Sequence, residues 1–297
     1  MISGVLSVDL LVNLVLALIM LGIGLSLTAA DFRNIFLHPV SLVAALGIQI
    51  IGLPLVSFGI AAFAPLSAEM RVGLVLVSLC ASGASSNLIT HLLKGNVALA
   101  ISMTVFNSII TLFSIPLLTN LALRNFMHTE AEIQLPFLET IVQIFMVSIL
   151  PATVGLLIRR YKVKVAKALE KPLKYVLPAL LATVFALKIF LGTASGGTGI
   201  SVSETMHILP FMLLLNLLAM SLGFFGARVL RRPFADQFTI SIEVGLHNTA
   251  LALLISGNIL QNAGMQKPAV VYAMFSFFTA ILYVVIIKKI FEKRTEK

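Results

Sequence analysis

The dominant pattern along the chain is a series of long apolar runs separated by short polar connections. Nine runs can be traced, at roughly 8–29, 40–64, 69–93, 96–121, 135–158, 172–194, 205–229, 235–258 and 268–290. A helix of about 20 residues crosses the hydrocarbon core of a bilayer. The pattern therefore predicts an all-α polytopic membrane protein with nine transmembrane helices, in a single unit that covers residues 1–297 without a separate soluble domain.

Composition and charge refine this prediction. The chain is 59% hydrophobic and only 11% charged, whereas soluble domains carry about a quarter charged residues. A net charge of +9 could suggest nucleic acid as a partner, but most of the 21 basic residues lie on alternate connections, at 33, 94, 159–174, 228–232 and 288–297. The positive-inside rule then predicts an external N-terminus and a cytoplasmic C-terminus, with Lys188 reaching outward from its span.

Two of the runs carry small and hydrogen-bonding residues near their centres. They contain CASGASSNLITH at 80–91 and SIEVGLHNTALALLI at 241–255. Interrupted hydrophobic segments in corresponding positions of two halves are typical of the midplane binding sites of transporters. The two runs lie five spans apart, so equivalent helices would run in opposite directions. This arrangement predicts inverted repeats, the first of which lacks its opening helix.

Glu243 is the strongest candidate for a functional side chain. A carboxylate within a span costs roughly 2.5–3.5 kcal/mol on insertion scales and indicates a functional site by default. Unwound carbonyls can bind sodium, and half-helix N-termini favour anions. We expect the helix to be unwound around Gly245, with Glu243 facing cations and Asn248 facing a substrate cavity.

Several segments match a known family. CASGASSNLITHLLKGNVALAISMT (80–104) and SIEVGLHNTALALL (241–254) resemble the bile acid:sodium symporter family, of which the chain would be a bacterial homologue. The segments 19–32, 37–54 and 223–245 strengthen the match. The resemblance implies a panel domain of helices at about 8–29, 135–158 and 172–194. It also implies a core domain at about 40–121 and 205–290, where two broken helices cross at the midplane.

The resemblance further implies two sodium sites behind the crossing, with sodium as the only metal and no other cofactor. The first site would draw on Ser86, Asn87, Thr104 and Glu243. The second would draw on Gln49, Glu243, the carbonyls of Val244 and Leu246, and His247. The substrate would contact Ala84, Ser85, Asn87, Asn248, Thr249, Thr279 and Ala280.

The chain departs from the family at several of these positions. Ala100 stands where a hydroxyl is common, and His247 stands where glutamine is common. Ala81 and Ala84 replace a frequent proline and threonine, and the residues at 278–280 replace a Trp-His-Asn run. A neutral His247 could still bind a cation, whereas a protonated one would replace it, since histidine titrates near neutrality. Proton coupling or a single sodium therefore stays open as an alternative.

These observations predict a secondary active transporter, not an enzyme. It would couple sodium to the symport of an organic anion, bile-acid-like or a small carboxylate, by alternating access. The expected setting is the bacterial inner membrane, with a monomeric chain whose partners are sodium, the anion and lipid, without nucleic acid. An intramembrane enzyme needs paired catalytic groups that the sequence does not offer. A passive channel and an arsenite exporter are rival interpretations. Related arsenite exporters use a reactive cysteine in the first broken helix, and Cys80 lies just before it, but its apolar neighbours Leu79 and Ala81 would not stabilise a thiolate.

Overall fold

The computed structural model describes residues 8–27, 39–127 and 135–291, and these residues form helices and short connections without strands. The helices are α1 (Val8–Ser26), α2 (Pro39–Phe63), α3 (Ala68–Leu79), α4 (Ala84–Leu92), α5 (Val97–Met127), α6 (Phe137–Tyr161), α7 (Val163–Phe190), α8 (Val202–Val229), α9 (Phe234–Gly245), α10 (Thr249–Leu254) and α11 (Ala263–Phe291). The predicted all-α class is confirmed for this part of the chain.

Within the described residues, six segments are long and apolar enough to cross a membrane: α2, α5, α6, α8, α11 and the stretch Phe234–Ile259, which contains α9 and α10. The protein is therefore a multi-pass membrane protein. Shorter apolar stretches lie in α1, over Leu10–Ser26, and in α7, over Tyr175–Phe190. The run at 69–93 is divided between α3 and α4, and residues 28–29 of the first run lie outside the described part.

Among the described residues, three wider turns interrupt the regular hydrogen-bond ladder. These turns are Ile48–Gly52 in α2, Phe145–Ile149 in α6 and Ile255–Ile259 after α10. Pro54 follows the first turn closely, and a proline has no amide hydrogen to donate to the carbonyl four residues earlier. The ladder relaxes around that missing bond, and Gln49 lies buried inside the turn.

The helices pack in two groups. In one, α1 lies along α6 and α7, and the backbones of α1 and α6 touch at Gly24 and Gly155. A Cβ at Gly24 would lie 2.0 Å from the carbonyl oxygen of Ala152, so a larger residue would force the helices apart. In the other group, α3 packs on α2, α5 and α11, and α8 packs on α9 and α11.

The stretch from α9 to α10 lies inside the second group, and residues 236–257 of it are buried. Its polar residues therefore face protein and not lipid.

The position of Lys188 in α7 differs from the prediction, because its side chain does not reach outward to water. Its side chain is 1% exposed, and Nζ donates to the carbonyl of Gly196 at 2.9 Å. The reason is that the connection after α7 folds back over the lysine.

Candidate functional site at two interrupted helices

Both polar clusters fall at interruptions of a helix. After α3 the backbone of Cys80 is extended, at φ −72° and ψ 132°, and α4 begins after Gly83. After α9, which ends at Gly245, Leu246 is extended at φ −115° and ψ 119°, and Asn248 precedes α10. The second interruption thus begins directly after the glycine around which the sequence places it.

The two interruptions touch each other through the backbone. The amide of Asn248 donates to the carbonyl of Ala81 at 2.8 Å. In a continuous helix this amide would donate to the carbonyl of Val244, four residues earlier. The carbonyl of Val244 has therefore lost its helical partner. The side chain of Asn248 caps α10, since its Oδ1 accepts from the amide of Leu251 at 3.1 Å.

Glu243 lies at the centre of this arrangement and is fully buried. Its Oε2 accepts hydrogen bonds from the hydroxyls of Ser82 at 2.5 Å and Thr104 at 3.2 Å. Its Oε1 is buried and has no hydrogen-bond partner among the described residues. A buried carboxylate oxygen without a partner is unfavourable by several kcal/mol in an apolar environment. This oxygen is therefore available to bind a cation.

Asn87 and Ser86 complete the surroundings of this carboxylate. Asn87 donates through Nδ2 to the hydroxyl of Thr104 at 3.3 Å, while its Oδ1 is buried and unpaired within the described chain. Ser86 lies beside the Glu243 carboxylate and donates to the carbonyl of Gly83 at 2.7 Å. The structure thus brings together Ser86, Asn87, Thr104 and Glu243 from α4, α5 and α9.

The residues of the second predicted set are less closely joined. The Oε1 of Gln49 is buried without a partner, and no hydrogen bond between described residues links this side chain to Glu243 or His247. The ring of His247 stacks on Tyr272 with centroids 5.3 Å apart. Neither ring nitrogen forms a hydrogen bond of normal geometry to a described group, although the Cys80 backbone lies nearby.

Two features of the site were missed from sequence. Ser82 contacts Glu243 directly, and its place inside the first polar cluster was the signal that could have identified it. The second feature is a network that holds the carbonyl of Gly245. This carbonyl accepts from the hydroxyl of Tyr272 at 2.5 Å and from Nδ2 of Asn216 at 2.8 Å. Thr279 in turn donates to Oδ1 of Asn216 at 2.7 Å.

The residues predicted to contact substrate occupy different environments. Ser85 and Asn87 are partly exposed on α4, which begins at Ala84, whereas Asn248 and Thr249 are buried at the second interruption. The hydroxyl of Thr279 is directed to Asn216. Ala280 is completely buried in an apolar cluster that includes Phe224 and Phe238.

Sequence comparison relates the chain to a family of known transporters. The profile of the Sodium Bile acid symporter family matches residues 13–205. An uncharacterized sodium-dependent transporter of Bacillus subtilis, YocS, is 29% identical over 246 residues, which are 82% of this chain and 73% of the relative.

Plant and mammalian relatives are also similar. The probable chloroplastic sodium/metabolite cotransporter BASS1 of Arabidopsis thaliana is 28% identical over 267 residues, or 90% of this chain and 63% of the relative. The sodium/bile acid cotransporter 4 of Mus musculus is 26% identical over 281 residues, or 93% of this chain and 63% of the relative. The chain thus spans less than two thirds of both proteins.

Proposed function

The chain belongs to the sodium/bile acid symporter family, and we propose that it carries a small organic anion into the cell together with sodium by alternating access. The family consists of sodium-dependent transporters, so the chain is a transporter and not an enzyme. The substrate class, the coupling sites and the mechanism are the content of the proposal.

The observation that carries the proposal is the oxygen cluster around Glu243. The unpaired Oε1 of Glu243 and Oδ1 of Asn87 are supplemented by the hydroxyls of Ser82, Ser86 and Thr104. Hard cations prefer such oxygen ligands, and a single carboxylate supplies the compensating charge. We assign the first sodium site to this cluster, with Ser82 added to the four residues expected from sequence.

A second sodium site is proposed between Gln49 and the second interruption. Gln49 offers a buried, unpaired Oε1, and the carbonyl of Val244 lacks its helical partner. The carbonyl of Leu246 and a nitrogen of His247 would complete the set. Glu243 would be shared between the two sites, which is why its removal should affect all sodium binding.

The proposed architecture has nine spans, with an external N-terminus and a cytoplasmic C-terminus in the bacterial inner membrane. The packing of α1 with α6 and α7 supports a panel domain, and the packing of the remaining helices supports a core domain. In the core, α3 with α4 and α9 with α10 would be the equivalent broken helices of two inverted repeats. The monomer is the proposed unit.

The proposed substrate is an organic anion, either bile-acid-like or a small carboxylate. Ser85 and Asn87 are accessible on α4, next to the proposed first sodium site. Asn248 and Thr249 lie at the second interruption and would become accessible as the core moves against the panel. Phe278 is 71% exposed, so the surface of α11 is apolar at this position.

The proposal is tested with purified protein in proteoliposomes under an inward sodium gradient. Uptake of labelled pyruvate and taurocholate is compared in sodium and in potassium buffer. We expect concentrative uptake of at least one of the two anions in sodium only. Uptake that equilibrates without accumulation, or that ignores sodium, would contradict the proposal.

His247 supports one alternative within the same fold, a transporter with a single sodium or with proton coupling. Its buried ring has no hydrogen-bond partner for either nitrogen among the described residues, so a proton there could take the place of the second cation. If His247 is a neutral sodium ligand, lowering the pH should protonate it and weaken sodium binding. His247→Gln should then remove this pH dependence. Uptake that needs a proton gradient and not sodium would favour the alternative.

A further inference from the structure

A row of buried polar groups leads from the proposed first sodium site towards the beginning of α9. On α9, Asp236, Thr239 and Glu243 are three and four residues apart, so their side chains share one face of the helix. Ser86 and Thr90 are four residues apart on α4, which packs against α9. All five residues are buried, and the row covers about 10 Å along the helix.

Side chains from the two helices come together at Gly95, in the connection between α4 and α5. A Cβ on this glycine would lie 2.6 Å from Oγ1 of Thr239 and 2.8 Å from Cγ2 of Thr90, so both side chains border the same point. The amide of Asn96 donates to Oγ1 of Thr239 at 2.9 Å, and its Nδ2 donates to Oδ1 of Asp236 at 2.8 Å. Direct contacts thus join the part of the row nearest the beginning of α9 and hold it closed.

The hydroxyl of Thr90 is the member of the row that the fold does not explain. Its Oγ1 is buried and has no hydrogen-bond partner among the described residues. The hydroxyl of Thr239, by comparison, donates to the carbonyl of Ala235 at 2.7 Å. An unpaired buried hydroxyl costs about 1–3 kcal/mol, and a valine of the same shape would avoid this cost. The Thr90 oxygen is therefore suited to a partner that reaches it only transiently.

The chemistry of the row favours a cation as that partner. Carboxylates stand at both ends, at Glu243 and Asp236, and would repel an anion. Hard cations take hydroxyl and carboxylate oxygens as ligands. We propose that sodium leaves the first site between α4 and α9 and reaches the proposed cytoplasmic side near Asp236. The ion passes the hydroxyls of Thr90 and Thr239 while the two helices separate at Gly95.

This route rests on the first sodium site of the proposed function, and Thr90→Val tests it. Valine keeps the shape of the side chain and removes only the unpaired hydroxyl. A group that the ion passes affects entry and exit equally, so the variant should change rates and not affinity. Purified protein is loaded with radioactive sodium and diluted into sodium-free buffer, and the bound label is followed by rapid filtration. We expect Thr90→Val to release sodium at least about fivefold more slowly than the wild type, with a Kd within about twofold and a Tm that is not lowered.

Thr119→Val is the matched control. Thr119 is also completely buried, and its Oγ1 likewise has no hydrogen-bond partner in the described part of the chain. It lies on α5, about 22 Å from Thr104 along the helix. Its replacement should leave the release rate and the Kd unchanged, so that slower release in Thr90→Val is assigned to the position of the hydroxyl.

A second measurement determines the side to which the route opens. Silver ions are monovalent cations that bind thiolates, and they are applied to inside-out membrane vesicles that carry Thr90→Cys in a Cys80→Ala background. Thiols that remain free are then counted with a fluorescent maleimide after denaturation. Silver should block the introduced thiol, and an excess of sodium should slow the reaction. Thr119→Cys in the same background should stay free.

The route is disproved if Thr90→Val releases sodium at the wild-type rate, or if Thr119→Val slows release to the same degree. It is also disproved if silver leaves the thiol of Thr90→Cys free in inside-out vesicles. A raised Kd in Thr90→Val would make this hydroxyl a ligand of the site and would equally overturn the route. In each of these cases the wild type still binds sodium and Glu243→Gln does not, whereas failure of the proposed function would abolish sodium binding in the wild type itself.

Discussion

Replacement of Glu243 by glutamine is the most direct test of the proposed sodium sites. Glutamine keeps the shape of the side chain, and its carbonyl oxygen can still accept from Ser82 and Thr104, which lie 2.5 and 3.2 Å from Oε2. The negative charge is lost, and an N–H group replaces the unpaired oxygen. The fold should therefore survive while the cation ligand disappears.

The size of the effect follows from the burial of the site. Removing one partner of a buried charge pair costs roughly 3–5 kcal/mol. At 1.4 kcal/mol for each factor of ten, the Kd for sodium should rise between about a hundredfold and several thousandfold. Sodium-driven uptake should then be lost at ordinary sodium concentrations.

Sodium binding can be measured as the increase in Tm with sodium concentration, because a ligand that binds only the folded state stabilises it. The matched control is Asp236→Asn in the same helix. Asp236 is also buried, but its carboxylate accepts from Ser41 at 2.6 Å and Asn96 at 2.8 Å, at the start of α9. The control should lower Tm and leave the Kd for sodium within about threefold.

The reasoning is refuted if the Kd of Glu243→Gln for sodium lies within about tenfold of the wild-type Kd. It is also refuted if the Kd for sodium rises to the same degree in Asp236→Asn. Sodium binding would then depend on the total charge of α9 and not on the position of Glu243. Because the sodium-free Glu243→Gln protein has no unpaired buried carboxylate, we expect it to be at least as stable as the wild type.

Three further predictions address the site and the topology. Asn87→Ala should raise the Kd for sodium by about tenfold, whereas Ala100→Ser should change it by less; an unchanged Kd in Asn87→Ala would misplace the first site. Tyr272→Phe removes the hydroxyl that donates to the carbonyl of Gly245 and should lower stability by about 1–2 kcal/mol, seen as a lower Tm; a Tm equal to that of wild type would show that the bond is dispensable. Cysteines introduced at 193–203 should react with an impermeant reagent from outside and a cysteine in place of Lys164 should not, and the reverse labelling would overturn the external N-terminus.

Apolar periodicity and the cost of burying a charge were enough to single out Glu243 from the sequence as the leading candidate residue. A glutamate in an apolar span has few explanations, and Glu243 is indeed buried among the hydroxyls of Ser82, Ser86 and Thr104. The position of the break after Gly245 follows from the polar cluster around it. The resemblance to the symporter family implied Ser86 and Asn87 as further members of the site, and the structure places Ser86 beside Glu243 and Asn87 against Thr104.

The remainder depends on contacts between distant segments, which one sequence cannot specify. Tyr272 gave no signal, because an aromatic residue in an apolar helix is ordinary, yet its hydroxyl holds the carbonyl of Gly245. Lys188 was expected to extend outward because lysines near span ends usually do so. The structure buries it under a loop whose fold requires Gly196 and Gly197 in close succession.

The proposed coupling follows from which polar groups each interruption leaves without partners. The amide of Asn248 is satisfied by Ala81 and the carbonyl of Gly245 by Tyr272, so these two backbone groups do not need a ligand. The Oε1 of Glu243 and the Oδ1 of Asn87, by contrast, have no hydrogen-bond partner in the described part of the chain. A cation between them would therefore tie α9 to α4, the half-helix that also carries the accessible Ser85.

If the substrate binds on that half-helix, the two ligands share one helix, and any increase in affinity that sodium gives the anion must be matched by the same factor in the affinity for sodium. Sodium that orders α4 removes part of the entropy that the anion would otherwise lose on binding. A measurable consequence is that the Kd of a transported anion should fall as sodium rises, and should lose this dependence in Glu243→Gln. An anion whose affinity is independent of sodium in the wild type would mean that cation and substrate act on different helices.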